Sequence, residues 1–465
     1  MKTVAPAPSR RRQALTALFL VLFLASQALL WLAYYSGEAK TLVGDEQTYQ
    51  ASALAILGGG PWMPSSIWPP LQPLFIAAIY AVFGTHLLAV QMVQSLLFLA
   101  CAALLRDLWR CLGSSVPAAN TAAVLWLLNP SCAAYAHWLW PELPHVFLLL
   151  AALCLLARAG SALGPFLSGL CIGLAILAKS LLSMFWPLFL MALLRRQRPH
   201  LLLRSALALV FGLAVVTAPA LLHGWREYGR PMIADSSIYN VWVGLNDTWR
   251  SDYVADMGGV TLREFVASGA TPQQRNAVYL DKVRALVNER GLPHVFADQL
   301  GRQYFRLFSA KTSLVSQLPG AACAGHLSVY GSPGWLTRVL TTMNDFMHAL
   351  LLAASAFGIA TRRWRSPVAH AQGGRLLALI VLLFGYQLAL FLLIHVKARF
   401  LLPMVPFLCG FAGCFLVALH AHFSPGRHEP TIALTPPRLA LGVALAALLL
   451  FLAFAGPALD HLCAT

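Results

Sequence analysis

Charge is scarce in this sequence, and negative charge scarcest of all. Only 11% of its 465 residues are Asp, Glu, Lys or Arg, where a soluble domain carries about a quarter. With 59% of the residues hydrophobic, a water-soluble globular protein is excluded. The nine cysteines include no Cys-x-x-Cys pair. Cys101, Cys132, Cys154, Cys171, Cys409 and Cys414 lie inside apolar runs, where a thiol behaves as a small hydrophobe. Neither a disulfide framework nor a zinc site is indicated. There is no G-x-x-x-x-G-K-[ST], no G-x-G-x-x-G after a strand and no Ser-His-Asp signature, so nucleotide-driven chemistry has no visible site. No internal repeat is visible either, which weakens a transporter reading.

What the sequence has in abundance is apolar runs long enough to cross a bilayer, about 20 residues each. They predict an all-α integral membrane protein, a single polytopic domain over 1–465 with about eleven spans. The spans fall near 13–37, 86–105, 117–136, 142–157, 164–180, 181–194, 204–223, 346–361, 375–394, 400–419 and 438–458. The first follows Lys2 and Arg10-Arg11-Arg12 but is too long for a signal peptide and lacks a small-residue cleavage site. It reads as a retained helix with a cytoplasmic N-terminus. On that topology the cytoplasmic segments hold seventeen basic residues, among them Arg106, Arg158, Arg195, Arg362 and Arg438. The short outer loops hold four: Lys40, Lys179, Lys397 and Arg399. The formal net charge of +16 therefore reports membrane orientation rather than nucleic acid.

Two outer segments break the pattern. In 36–85, Leu71–Gly84 is apolar but too short to span, and 46–57 shows mixed helical spacing ended by Gly58-Gly59-Gly60. Two helices lying along the outer membrane surface are expected there, joined by a Gly/Trp-rich turn. The polar stretch 224–345 forms a large outer loop. Thr271-Pro272-Gln273-Gln274 signals a helix start by capping box and N1 proline, ending at Gly291, with a second helix over about 293–308.

Among the few acidic residues outside that large loop, Asp45, Glu46 and Glu142 stand at predicted membrane edges, where ionisable groups are functional candidates. Asp45 and Glu46 fit two roles equally: a general base for an acceptor hydroxyl, or caps of the first surface helix. Glu142 with His145 forms a Glu-x-x-His pair on one helical face, which suits a second carboxylate or a metal ligand, but Pro141 equally makes Glu142 a first-turn acid. A divalent metal at Asp45 and Glu142 is conceivable, though nothing in the spacing indicates it. Lys179 ends an apolar helix, and His395, Lys397 and Arg399 form a second cationic cluster. Both fit either interfacial anchoring or the stabilisation of a phosphate leaving group.

These motifs together resemble the GT-C membrane glycosyltransferases, nearest to bacterial members related to protein O-mannosyltransferases and lipid A aminoarabinose transferases. Gly44-Asp45-Glu46-Gln47-Thr48-Tyr49 resembles the first-loop Asp-Glu-x-x-Tyr element. Trp68-Pro69-Pro70, Pro73-Leu74-Phe75 and Val82-Phe83-Gly84 resemble the second surface helix. Gly169–Lys179, Asp235–Asn246 and Lys397–Pro403 resemble three further family segments. The resemblance implies a polyprenyl-phosphate-linked sugar as donor, an acceptor hydroxyl on a glycan, lipid or protein, and inverting transfer at the outer face of the cytoplasmic membrane. It implies Asp45 as base, with Glu46 beside it, and Lys179, His395, Lys397 and Arg399 near the carrier phosphate. Tyr49, Trp68, Asn240, Trp242 and Asn246 become substrate-loop residues. Two departures stand out: Glu142 where many relatives carry aspartate, and Phe400 where a tyrosine usually follows the arginine. A lipid-linked polysaccharide ligase or polymerase, with Arg and His of the large loop at work, is the runner-up, and a transporter comes last.

Overall fold

The computed structural model describes residues 42, 44–158, 161–194, 199–246, 257–302, 304–309, 334–364, 371–423 and 429–455. Within the first apolar run it also describes ten residues between 17 and 32, all helical. The described residues are helical throughout apart from turns, with one isolated antiparallel bridge between Arg362 and Ile432.

Among the described residues, six helices are each long and apolar enough to cross a bilayer: Leu87–Cys111, Pro199–Tyr228, Arg338–Thr361, Gly373–Leu390, Val405–His422 and Pro436–Phe454; the first expected span, 13–37, lies largely outside the described residues. A seventh span results if Pro130–His137 and Glu142–Ala157, bent by 112°, count as one. The expected eleven is not reached by this measure, and the differences have local causes. The run 117–136 is two helices, because Asn129 caps a new one by accepting from the Cys132 N–H and Pro130 opens it. The run 181–194 forms two 3-10 pieces, Ser180–Leu182 and Trp186–Leu193, the second opening on Pro187. The expected helix 400–419 starts only at Val405, after a 3-10 turn over Ala398–Leu401, since Pro403 and Pro406 lack the N–H an earlier ladder needs.

Between residues 36 and 85, helices form over the two segments expected to be helical, at Asp45–Leu57 and Leu71–Phe83. In the large loop Pro272–Arg290 carries both capping-box bonds and ends at Gly291, φ 76°. The second expected helix is split into Leu292–Arg302 and a 3-10 turn at Tyr304–Phe308, and Ser237–Leu245 and Met257–Ala267 add two more.

Small residues let helices Leu163–Ala178 and Pro199–Tyr228 cross closely. A Cβ on Gly169 would fall 2.0 Å from the Leu209 carbonyl oxygen, and one on Gly212 2.1 Å from that of Phe166. The irregular stretch between Tyr135 and Pro141 needs a different solution, because non-helical backbone buried in a membrane protein must find its hydrogen bonds inside the protein. Buried glutamines supply them. Gln91 Nε2 donates to His137 O at 3.1 Å, Gln94 Nε2 to Ala136 O at 3.1 Å and Trp138 O at 2.8 Å, and Gln72 Nε2 to Leu139 O at 3.0 Å. Gln94→Leu removes a donor shared by two carbonyls, at a cost of ~1–3 kcal/mol per unsatisfied group. Thermal denaturation in detergent is expected to show a clearly lowered midpoint, and an unchanged one would refute this account of the break.

Candidate functional site

A cavity of about 520 Å³ is lined by residues of the segments 36–85 and 224–345 together with residues at the ends of apolar helices. Its polar wall is assembled from four places in the chain. Asp45 comes from the first turn of helix Asp45–Leu57, entered through Gly44 at φ 58°, a left-handed conformation that glycine adopts without strain. Glu142 opens the helix that follows the glutamine-held break. Lys179 stands in extended backbone just past helix Leu163–Ala178. Lys397 and Arg399 lie on the turn before helix Val405–His422.

Arg399 joins the two carboxylates. Its Nη2 donates to Asp45 Oδ2 at 2.6 Å, and its Nε lies 3.6 Å from Glu142 Oε1. Lys179 Nζ donates to the same Glu142 oxygen at 3.0 Å. The guanidinium also lies 4.7 Å from the centre of the Trp140 ring, which stacks on Trp138. Phe400 stacks on Phe391 with 7° between the rings and carries the Lys179 ammonium 4.5 Å from its centre. An aromatic shelf for a cation is thus what phenylalanine provides here, and a hydroxyl is not needed for it. Much of the remaining lining is apolar, including Leu181, Met184, Leu390 and Leu393, together with Tyr386, whose hydroxyl donates to Leu181 O at 2.8 Å.

Burial would raise the Asp45 carboxyl, but Arg399, and behind it Lys397 and Lys179, outweigh this and hold it below its ordinary value. Burial and the charges of Asp45 and Glu142 push the Tyr49 phenol well above its ordinary value, so it stays protonated.

Of the residues singled out in the sequence, Asp45, Tyr49, Trp68, Glu142, Lys179, Asn240, His395, Lys397 and Arg399 all line this cavity. Four do not. Glu46 is fully buried and accepts from the Leu139 N–H at 2.9 Å, completing the support of the broken segment. His145 is fully buried with Nδ1 2.9 Å from Ala175 O. Trp242 packs edge-on against Tyr279, and Asn246 is buried at the end of helix Ser237–Leu245. Sequence reasoning did not single out Trp140 or Tyr386, and of these only Trp140 left a signal, as a neighbour of Pro141-Glu142; Ser236 and Ser237 lie within the Asp235–Asn246 segment noted in the sequence. As for a metal, the Arg399 guanidinium and Lys179 ammonium sit against both carboxylates, and no group of three or more His, Cys, Asp or Glu gathers among the described residues. This donor set does not fit a divalent cation.

The large loop is docked onto this wall. The His395 N–H donates to Asn240 O at 2.9 Å, and a Cβ on Gly244 would fall 2.4 Å from the Ile394 carbonyl carbon. Farther out, buried Asp235 accepts from Arg275 Nε at 3.1 Å and Nη2 at 2.9 Å, from Arg230 at 3.1 Å and from Asn276 at 2.7 Å. Its backbone N–H donates to Ser66 O at 2.7 Å, which ties the large loop to the turn carrying Trp68.

The lowered Asp45 carboxyl gives a signed expectation. Its ion pair contributes stability above the ordinary carboxylate value of 3.8 and loses it as pH falls through the lower folded value. The drop in melting temperature between neutral and acid pH is therefore expected to be smaller in Asp45→Asn than in wild type. Equal drops would mean that the pair adds nothing.

Residues 323–458 match the Alg9-like mannosyltransferase family. No curated protein matches the chain. Among solved structures, the apo oligosaccharyltransferase of Archaeoglobus fulgidus is similar with a TM-score of 0.50 and 12% identity, over 94% of this chain and 56% of that one. AglB from the same organism, in complex with an inhibitory peptide and a dolichol-phosphate, gives 0.46 and 13%, over 98% and 56%. ArnT from Cupriavidus metallidurans bound to undecaprenyl phosphate gives 0.38 and 14%, over 88% and 80%. The chain thus spans about half the length of the oligosaccharyltransferases it resembles. It shares the fold of the apo oligosaccharyltransferase, and its C-terminal segment 323–458 carries the match to the Alg9-like mannosyltransferase family.

Proposed function

We propose that the protein transfers a sugar from a polyprenyl-phosphate-linked donor to an acceptor hydroxyl, at the outer face of the cytoplasmic membrane and with its N-terminus inside. One observation carries this reading: a carboxylate, Asp45, is paired with Arg399 in the lining of a cavity that is otherwise largely apolar. A lipid carrier suits the apolar lining, its phosphate suits Lys179, Lys397 and Arg399, and the acceptor then meets Asp45. The seventeen-to-four distribution of basic residues supports an outward-facing site.

Held by Arg399, Asp45 is a weak base. An incoming phosphate offers the guanidinium an anionic partner that competes with Asp45. As Arg399 turns toward the phosphate, Asp45 regains basicity next to the acceptor. The acceptor oxygen then attacks the anomeric carbon as its proton passes to Asp45. The bond from that carbon to the phosphate oxygen breaks on the opposite side, which inverts the configuration. Negative charge grows on the departing phosphate, where fixed cations in a water-poor cavity lower the barrier most. Glu142 keeps Lys179 in place and neutral Tyr49 offers a hydrogen bond. The loops latched through Asp235 limit hydrolysis by water.

Proteoliposomes supplied with a panel of polyprenyl-phosphate sugars test this. Asp45→Asn is expected to lower kcat by about 10²–10⁴-fold, the range for a lost general base, while Lys179→Gln raises KM for the donor. Exposed Arg284 and His294 of the large loop are expected to tolerate alanine. Full activity in Asp45→Asn, together with loss at Arg284 or His294, would favour the ligase or polymerase reading instead.

A further inference from the structure

The end of the bundle opposite the cavity carries a second concentration of positive charge. Helix Val405–His422 starts beside the Arg399 turn and runs 18 residues, about 27 Å at its ordinary rise, close to the thickness of a hydrocarbon core. Beyond its far end the chain pairs with itself. The Arg363 N–H donates to Thr431 O at 2.8 Å and the Ala433 N–H to Thr361 O at 2.8 Å. This junction lies where helix Arg338–Thr361 ends and Pro436–Phe454 begins, and it gathers Arg362, Arg363 and Arg438.

The acid of this corner, Glu429, is buried and already engaged. Its Oε2 accepts from the Ser115 N–H at 3.0 Å, and its Oε1 from the Thr431 hydroxyl at 2.5 Å and N–H at 3.3 Å. Arg362 is buried as well, 5.2 Å from the centre of the Trp109 ring and donating to Leu112 O. Arg363 and Arg438 are left to line a cavity of about 460 Å³ with Trp364 and Ala433. Arg438 Nη1 donates to the carbonyls of Thr361 and Arg362 at 3.4 and 3.3 Å. Neither arginine forms an ion pair with a carboxylate among the described residues.

Two arginine forks without a counter-charge, in a concavity at the ends of two spans and beside a half-exposed tryptophan, match one ligand chemistry. Arginine recognises phosphate oxygens in pairs, tryptophan favours the headgroup level, and basic pockets between helices hold anionic headgroups. We propose that this cavity binds the phosphate of an anionic phospholipid in the leaflet away from the candidate site. It stands independently of the transferase reading, because binding alone defines it.

Native mass spectrometry of the full chain, released from nanodiscs of phosphatidylglycerol or phosphatidylcholine, tests it. Wild type is expected to retain phosphatidylglycerol in preference. Arg363→Gln should weaken retention roughly fivefold, the worth of one basic residue near a charged surface, and Arg363→Gln with Arg438→Gln further. Arg438 braces two carbonyls, so Arg363→Gln, an exposed side chain, is the decisive variant. Arg284→Gln in the large loop serves as a control that keeps retention. Equal retention of both lipids, or unchanged retention in Arg363→Gln, would overturn the site. Displacement of the lipid by millimolar glycerol phosphate would overturn the lipid as its occupant in favour of a soluble phosphate.

Discussion

Arg399 is shared between two carboxylates that reach it from separate loops, and much of the site's construction serves that sharing. A buried charge is tolerable only when paired and hydrogen-bonded, and removing one partner of such a set commonly costs about 3–5 kcal/mol. Here Asp45, Arg399, Glu142 and Lys179 form an alternating chain of charges at interaction distance. Four structural features exist to deliver those groups: a left-handed glycine ahead of Asp45, a break held open by glutamines ahead of Glu142, extended backbone at Lys179 and a tight turn at Arg399. Of the four groups, Glu142 is buried and the other three are half-buried, so loss of any one leaves its partners with unbalanced charge only partly screened by solvent. The helices behind them can vary in sequence far more freely than these four junctions.

Much of this was legible in the sequence because its causes are local. Apolar runs gave the helices, proline and glycine gave many of their ends, and the capping box at Thr271 was found with both of its bonds in place. Scarcity did the rest, since a carboxylate or lysine at a membrane edge costs too much to be kept without use. What stayed hidden depends on direction in space. Asp45 and Glu46 are neighbours with opposite fates, because successive helical residues point about 100° apart; one faces the cavity and the other holds the Leu139 amide. Glu142 and His145 read as one face, yet His145 reaches the Ala175 carbonyl away from the cavity. The breaks at 129–141 and 181–194 escaped because hydropathy reports burial in lipid without reporting whether the backbone is helical. The glutamines that hold the first break carry no periodic signature at all.

The two loops are equally interdependent. Asp235 meets Arg275, Arg230 and Asn276 from the large loop while its backbone holds Ser66 of the first. Trp68 and the serines at 236 and 237 therefore belong to one rigid rim, although they are far apart in the chain. Any opening of the cavity has to move both loops together or break a buried ion pair.

The tally of charge around the cavity has a further consequence for turnover. Lys179, Lys397 and Arg399 face Asp45 and Glu142, an excess of one positive charge among these five side chains. For the donor class proposed, a phosphate diester enters with a single negative charge, whereas the monoester left behind carries about −1.5 to −2 near neutral pH. The same cations that favour departure of the sugar thus grip the spent carrier more firmly than the loaded one. An enzyme of that class is limited by emptying itself of its spent carrier.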